Sequence, residues 1–123
     1  RTKFRLAETY LLLAEAYLRQ NMPDKAADAV NEVRRRAKVA DVSDDEMTMD
    51  YLLDERIREL YGEESRRFTL VRTGKLIERV KKYNPEARDL IQDFHVLWPI
   101  PQAVRDANTG EFPQNPGYEG YEG

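Results

Sequence analysis

Charged residues crowd one stretch of the chain, Leu52 to Lys75, which reads LLDERIRELYGEESRRFTLVRTGK, and five of them stand out. Glu55, Arg56 and Glu59 precede Gly62, and Arg66 and Arg72 follow it. They alternate with core-type residues (Leu53, Ile57, Leu60, Phe68 and Leu70), so they are hard to leave wholly in water. Removing one partner of a buried ion pair strands a charge at ~3–5 kcal/mol. The five are therefore read as a structural charged corner and not as a catalytic set. Glu63 and Glu64 are adjacent carboxylates, but a glycosidase pair must flank a bond across a cleft, so these are read as solvated. His95 has no second His or Cys to share a metal or relay a proton, and ordinary structure is the reading for it. The cations from Arg34 to Lys38 close a helix, where the dipole favours positive charge without any phosphate ligand. Trp98 could stack on a sugar ring. Its neighbours Leu97 and Pro99 argue instead for a core anchor. Trp98 and Tyr83 stand as the candidates for ligand contact, with the site itself left open. No residue set calls for a metal or a cofactor.

The 123 residues make one domain's worth of chain. A net charge of −3, mixed in sign, lacks the basic stripe that nucleic-acid binding needs. There is no Cys, which excludes disulfides, thiol catalysis and zinc–thiolate sites. No run approaches the ~18 apolar residues of a membrane span. The start at Arg1, without Met or a signal segment, suggests a piece of a longer protein.

The elements that must position these residues read as helices. Residues 2–21 carry Leu6, Tyr10, Leu13, Ala14 and Tyr17 on one apolar face, with Glu8, Glu15 and Arg19 elsewhere. Asn21 can end this helix and Pro23 can begin the next, which runs to Ala37 with Ala26, Ala29, Val30 and Val33 inward. The short joint makes the pair antiparallel, and the spacing is that of a tetratricopeptide unit. Ser43 and Glu46 form a capping box for a third helix over 45–61, whose core face is Leu53, Ile57 and Leu60. Gly62 breaks it by taking positive φ. Helical pieces follow over 65–73 and 75–82, and Asn84-Pro85 begins a turn. Pro99 and Pro101 hold VLWPIP extended, as a segment docked on the helices, and the turn-rich tail lies against the body. The fold class is all-α, a helix hairpin with further helices and a Pro-rich C-terminal segment. The chain divides into 1–38, 43–82 and 93–123.

These motifs together resemble one family. Arg5 to Ala16 is similar to RLAE-x-YL-x-x-AEA, Asn31 to Ala37 to N-x-VR-x-RA, and Glu55 to Leu60 to ER-x-x-EL. RRFTLVRTGK, Arg66 to Lys75, resembles RWFDLVRTGK with Arg67 in place of the aromatic and Thr69 in place of the Asp. LWPIPQ (Leu97 to Gln102) and QNPGY (Gln114 to Tyr118) resemble its closing motifs. Each is short; their shared order is specific to the SusD/RagB family of outer-membrane nutrient-binding lipoproteins. The resemblance implies a helical scaffold from the C-terminal part of such a protein. It implies oligosaccharide or another nutrient as ligand, a TonB-dependent transporter of the SusC type as partner, and an outward-facing place on the outer membrane. The membrane would be reached only through an N-terminal lipid anchor outside this chain. The alternative from another class is a helical-repeat adaptor that binds a peptide in a concave groove. An enzyme is disfavoured, since no nucleophile–base pair is present.

Overall fold

The computed structural model describes residues 5–121, and every regular element among them is helical. The chain forms two compact units, Arg1–Ser65 and Arg66–Gly123. The first four residues, where the first helix was expected to begin, lie outside the described residues.

In the first unit, α1 (Leu6–Arg19) and α2 (Pro23–Arg36) pack side by side across a three-residue joint. Asn21 closes α1 at φ 57°, as its short polar side chain allows, and Pro23 opens α2. The buried apolar residues of α1 are Ala7, Leu11 and Ala14; of the expected face Ala14 is buried and Tyr10 and Tyr17 pack against the core, while the two leucines do not. Leu6 is 67% exposed, and Leu13 is exposed as well. The cause is steric. Ala7 and Ala14 present almost no side chain, so α2 approaches closely through Ala26, Ala27 and Ala29, and Leu11 fills what space remains. Glu15, expected outside, is buried, and Arg19 one turn on pairs with it at 3.1 Å. On α2, the expected Ala26, Ala29, Val30 and Val33 are all buried.

A 3₁₀ turn, Asp44–Glu46, follows, closed by the Ser43–Glu46 box. The box thus caps this turn. The α-helix itself starts later, as α3 (Met49–Glu59), with Thr48 accepting from the Tyr51 amide. Leu52, Leu53 and Leu60 are buried, while Ile57 and Tyr61 are exposed. Arg56 falls three residues after Leu53 and four before Leu60, so its aliphatic stem takes the core position assigned to Ile57. Gly62 then turns the chain at φ 72°, as expected.

The second unit holds α4 (Arg66–Arg72), α5 (Leu76–Tyr83), a 3₁₀ turn at Asp93–Val96 and α6 (Gln102–Asp106). Asn84 organises the turn before Pro85, its side-chain oxygen accepting from the amides of Glu86 and Ala87. Leu70 and Leu76 are buried. Phe68, expected in the core, is exposed; on this short helix the buried positions are Thr69 and Leu70.

Candidate functional site

The first unit is built around arginine–glutamate pairs. On α3, Glu55 accepts from Arg34 at 2.8 Å and from Arg58 at 2.7 Å. Glu59 accepts from Arg5 at 2.6 Å and from Arg36 at 2.7 Å. Arg56, only 1% exposed, donates through Nε to Glu64 at 2.6 Å and approaches Glu8 at 3.9 Å. Glu63 binds Arg5 at 2.6 Å. Neither Glu63 nor Glu64 is thus simply solvated. Glu64 turns inward to Arg56 on α3, while Glu63 stays exposed and ties the chain after Gly62 to Arg5 at the start of α1. The Arg5 guanidinium is held well above its ordinary value by the hydrogen bonds it donates to Glu63 and then to Glu59. Its stabilising charge is therefore fully present at neutral and mildly alkaline pH, and is lost only as pH rises through that elevated value. The cations ending α2 have local partners too, with Arg34 also donating to the Ala40 carbonyl and Arg35 to Asp41. Three expected corner residues, Glu55, Arg56 and Glu59, thus stand together on α3, while Arg66 and Arg72 stand on α4 of the second unit. Arg5, Arg34 and Arg36 were missed as partners. For Arg34 and Arg36 the signal was the run of arginines that ends α2, one helix before the acidic residues of α3; Arg5, ahead of α1, carried no such signal.

In the second unit, two motifs far apart in sequence hold each other. Between Pro99 and Pro101, Ile100 has the only amide N–H of that triplet. The buried Gln114 accepts from it at 2.7 Å and returns a bond from its own amide to the Ile100 carbonyl at 2.9 Å. Asn115 donates to the Trp98 carbonyl and the Tyr118 hydroxyl donates to that of Leu97, both at 2.8 Å. Gly117 sits at φ 88°, where an added Cβ would lie 2.2 Å from Phe94. That close approach lets the Tyr118 ring meet Phe94 edge-on at 5.0 Å. The extended segment is therefore held by polar clamps, because side-chain amides can supply the pairing that a Pro-interrupted strand cannot make for itself.

This corrects the reading of Trp98 as a core anchor. The indole is 61% exposed, and Leu97 and Val96 are exposed beside it. Arg67 lies over the ring at 4.2 Å and also donates to the His95 carbonyl. Trp98 lines a shallow, largely apolar pocket of about 380 Å³ with Arg67, Leu90, Ile91, His95 and Tyr118. Tyr83 lies outside that lining. Its ring is covered by Arg79 at 4.8 Å and Lys82 at 5.0 Å. Among the described residues, no group of His, Cys, Asp and Glu is arranged to hold a metal, and no helix is long and apolar enough to cross a membrane.

An all-helical scaffold, braced by arginine–glutamate pairs and closed by the two clamped motifs, is the class that this geometry defines. A family profile described as the SusD family matches residues 1–118. The chain belongs to that family. It is 36% identical over 125 residues to the starch-binding protein SusD of Bacteroides thetaiotaomicron, covering 94% of this chain and 21% of that protein. It is 35% identical over 112 residues to SusD-like protein P25 of Formosa agariphila, covering 82% of this chain and 21% of that protein. The chain thus spans about a fifth of the length of these curated relatives. No solved structure matches it at a significant level.

Proposed function

We propose that these residues form the scaffold part of a cell-surface lipoprotein that captures oligosaccharides and passes them to a TonB-dependent outer-membrane transporter of the SusC type. The reading rests on family membership over residues 1–118, together with a Bacteroides relative described as starch-binding. It places the protein on the outward face of the outer membrane and makes it a binding protein, not an enzyme. Most aromatic residues of the first unit fit a supporting role. Tyr10, Tyr17 and Tyr51 are half-buried against its core, and Tyr51 lies beneath Arg34 and Arg58 at 5.8 and 5.7 Å. A helical-repeat adaptor would draw support from the exposed Leu6 and Leu13 of α1, yet it has no need of the clamp between Leu97–Ile100 and Gln114–Tyr118.

The test is calorimetric titration of the full-length protein and of this chain with the same neutral oligosaccharides. Binding is expected in the full-length protein, with this chain binding at least about tenfold more weakly, a difference of about 1.4 kcal/mol. Equal affinity in both would place the whole site within these residues.

A further inference from the structure

We propose that the pocket beneath Trp98 is a subsite for one neutral sugar ring of the bound oligosaccharide, an inference that rests on the glycan-binding reading above. A tryptophan seldom stays this open without a partner, because its large ring has so much to gain from burial. Here the exposed indole is also fixed in place. Arg67 covers it at 4.2 Å, and the backbone carbonyl of Trp98 is held by Asn115. A platform whose geometry is set beforehand loses little conformational freedom when a ligand arrives.

The polar groups of the pocket decide the chemistry of the occupant. The Nδ1 atom of His95 accepts from the Gln92 amide at 2.8 Å, which puts the proton of the neutral ring on Nε2 as a donor. The Tyr118 hydroxyl spends its proton on the Leu97 carbonyl at 2.8 Å, so its oxygen remains able to accept. A wholly apolar partner would bury both groups without return, at a cost that polar groups recover only through hydrogen bonds. No carboxylate lines the pocket, and Arg67 disfavours a cation. Its guanidinium lies over the indole and gives one N–H to the His95 carbonyl, while its Nε is buried without a hydrogen-bond partner and out of a ligand's reach. A neutral pyranose answers all of these conditions. Its C–H face lies on Trp98 and the aliphatic Leu90 and Ile91, and its hydroxyls both donate and accept at the rim. The volume of about 380 Å³ stands at the low end of the ~300–1,000 Å³ range of small-ligand sites, which suits one ring and not a chain of them.

The experiment uses the full-length protein. Wild type, Trp98→Ala, Trp98→Phe and Leu90→Asp are titrated calorimetrically with maltoheptaose, cellohexaose, xylohexaose and mannohexaose, with a thermal melt of each variant. At least one probe should bind wild type. Trp98→Ala should weaken it at least about tenfold, the size of a lost stacking contact, while Trp98→Phe should retain most of the affinity. Leu90, 72% exposed, tolerates Asp without unfolding, so Leu90→Asp should weaken binding likewise even if Trp98→Ala fails to fold. Binding that neither Trp98→Ala nor Leu90→Asp changes would overturn the subsite and leave the glycan reading standing. No binding of any probe to wild type would overturn both.

Discussion

Arg56 and Trp98 exchange the roles that their side chains suggest. The charged residue is the one enclosed, and the aromatic one faces water. For Arg56 the enclosure is tolerable because its stem packs between Leu53 and Leu60 while Glu64, itself buried, takes the charge at 2.6 Å. Replacing Arg56 by Ala takes the 2.6 Å ion pair away from a buried carboxylate, and a loss of ~3–5 kcal/mol is expected in chemical denaturation. Pairing Arg56→Met with Glu64→Leu should recover most of the loss, since an apolar pair of similar volume is often as stable as the ion pair it replaces. A double variant no better than Arg56→Ala would mean that the charges, not the packing, hold this site. For Trp98 the expectation runs the other way. Its exposed ring contributes chiefly the contact with Arg67, and such a pair near the surface is worth ~0.5–1 kcal/mol. Trp98→Ala should therefore shift the denaturation midpoint only slightly. A loss several times larger would return the residue to the core.

At the scale of elements, the same device appears twice. In the first unit the buried Asn31 donates to the Val42 carbonyl at 3.0 Å and accepts from its amide at 2.8 Å, as Gln114 does for Ile100 in the second. In each case a side-chain amide stands in for a neighbouring strand and satisfies both backbone groups of one residue. Asn31→Ala and Gln114→Ala should each lose on the order of 1–3 kcal/mol for each bond whose buried partner is left unsatisfied. Faster hydrogen exchange at the Val42 and Ile100 amides would report the release locally, and unchanged exchange would mean that water or another group replaces the lost side chain. Much of the helical order was legible beforehand. Pro23, Asn21, Gly62 and the apolar face of α2 act through local chemistry that a sequence displays directly. The apolar face of α1 was legible only in part (Tyr10, Ala14 and Tyr17 meet the core, Leu6 and Leu13 do not), because Leu11-Leu12-Leu13 and the flanking residues serve two adjacent stripes equally well. Only the close approach of α2 over Ala7 and Ala14 selects between them. The clamps were legible as motifs but not as contacts, since nothing local pairs Gln114 with a residue fourteen positions earlier. Trp98 was misread for a related reason. Apolar neighbours along an extended segment do not say which way alternate side chains point.

Across the whole chain, the two units draw their order from different sources. The core of the first is apolar and continuous, running through Leu11, Val30, Leu52 and Leu60 with the alanines of α1 and α2 around them. Among the described residues of the second, the buried apolar ones are Leu70 and Leu76, alongside Thr69, Arg79 and Gln114. Its larger apolar side chains, among them Phe68, Leu90 and Trp98, are exposed. Burial of a full aliphatic side chain is worth ~1.5–3 kcal/mol, whereas a typical internal hydrogen bond nets only ~0.5–1.5 kcal/mol. A region held mainly by such bonds opens at lower free energy than one held by a packed core. Native-state hydrogen exchange should therefore find the slowest amides on α1, α2 and α3. Residues 84–121 should exchange faster, with the clamped Ile100 amide as a local maximum of protection. In the Gln114→Ala variant that maximum should vanish while α1 to α3 keep their rates. Protection as high across 84–121 as on α2 would show that the second unit possesses an apolar core of its own, and would remove the reason for assigning its order to the clamps.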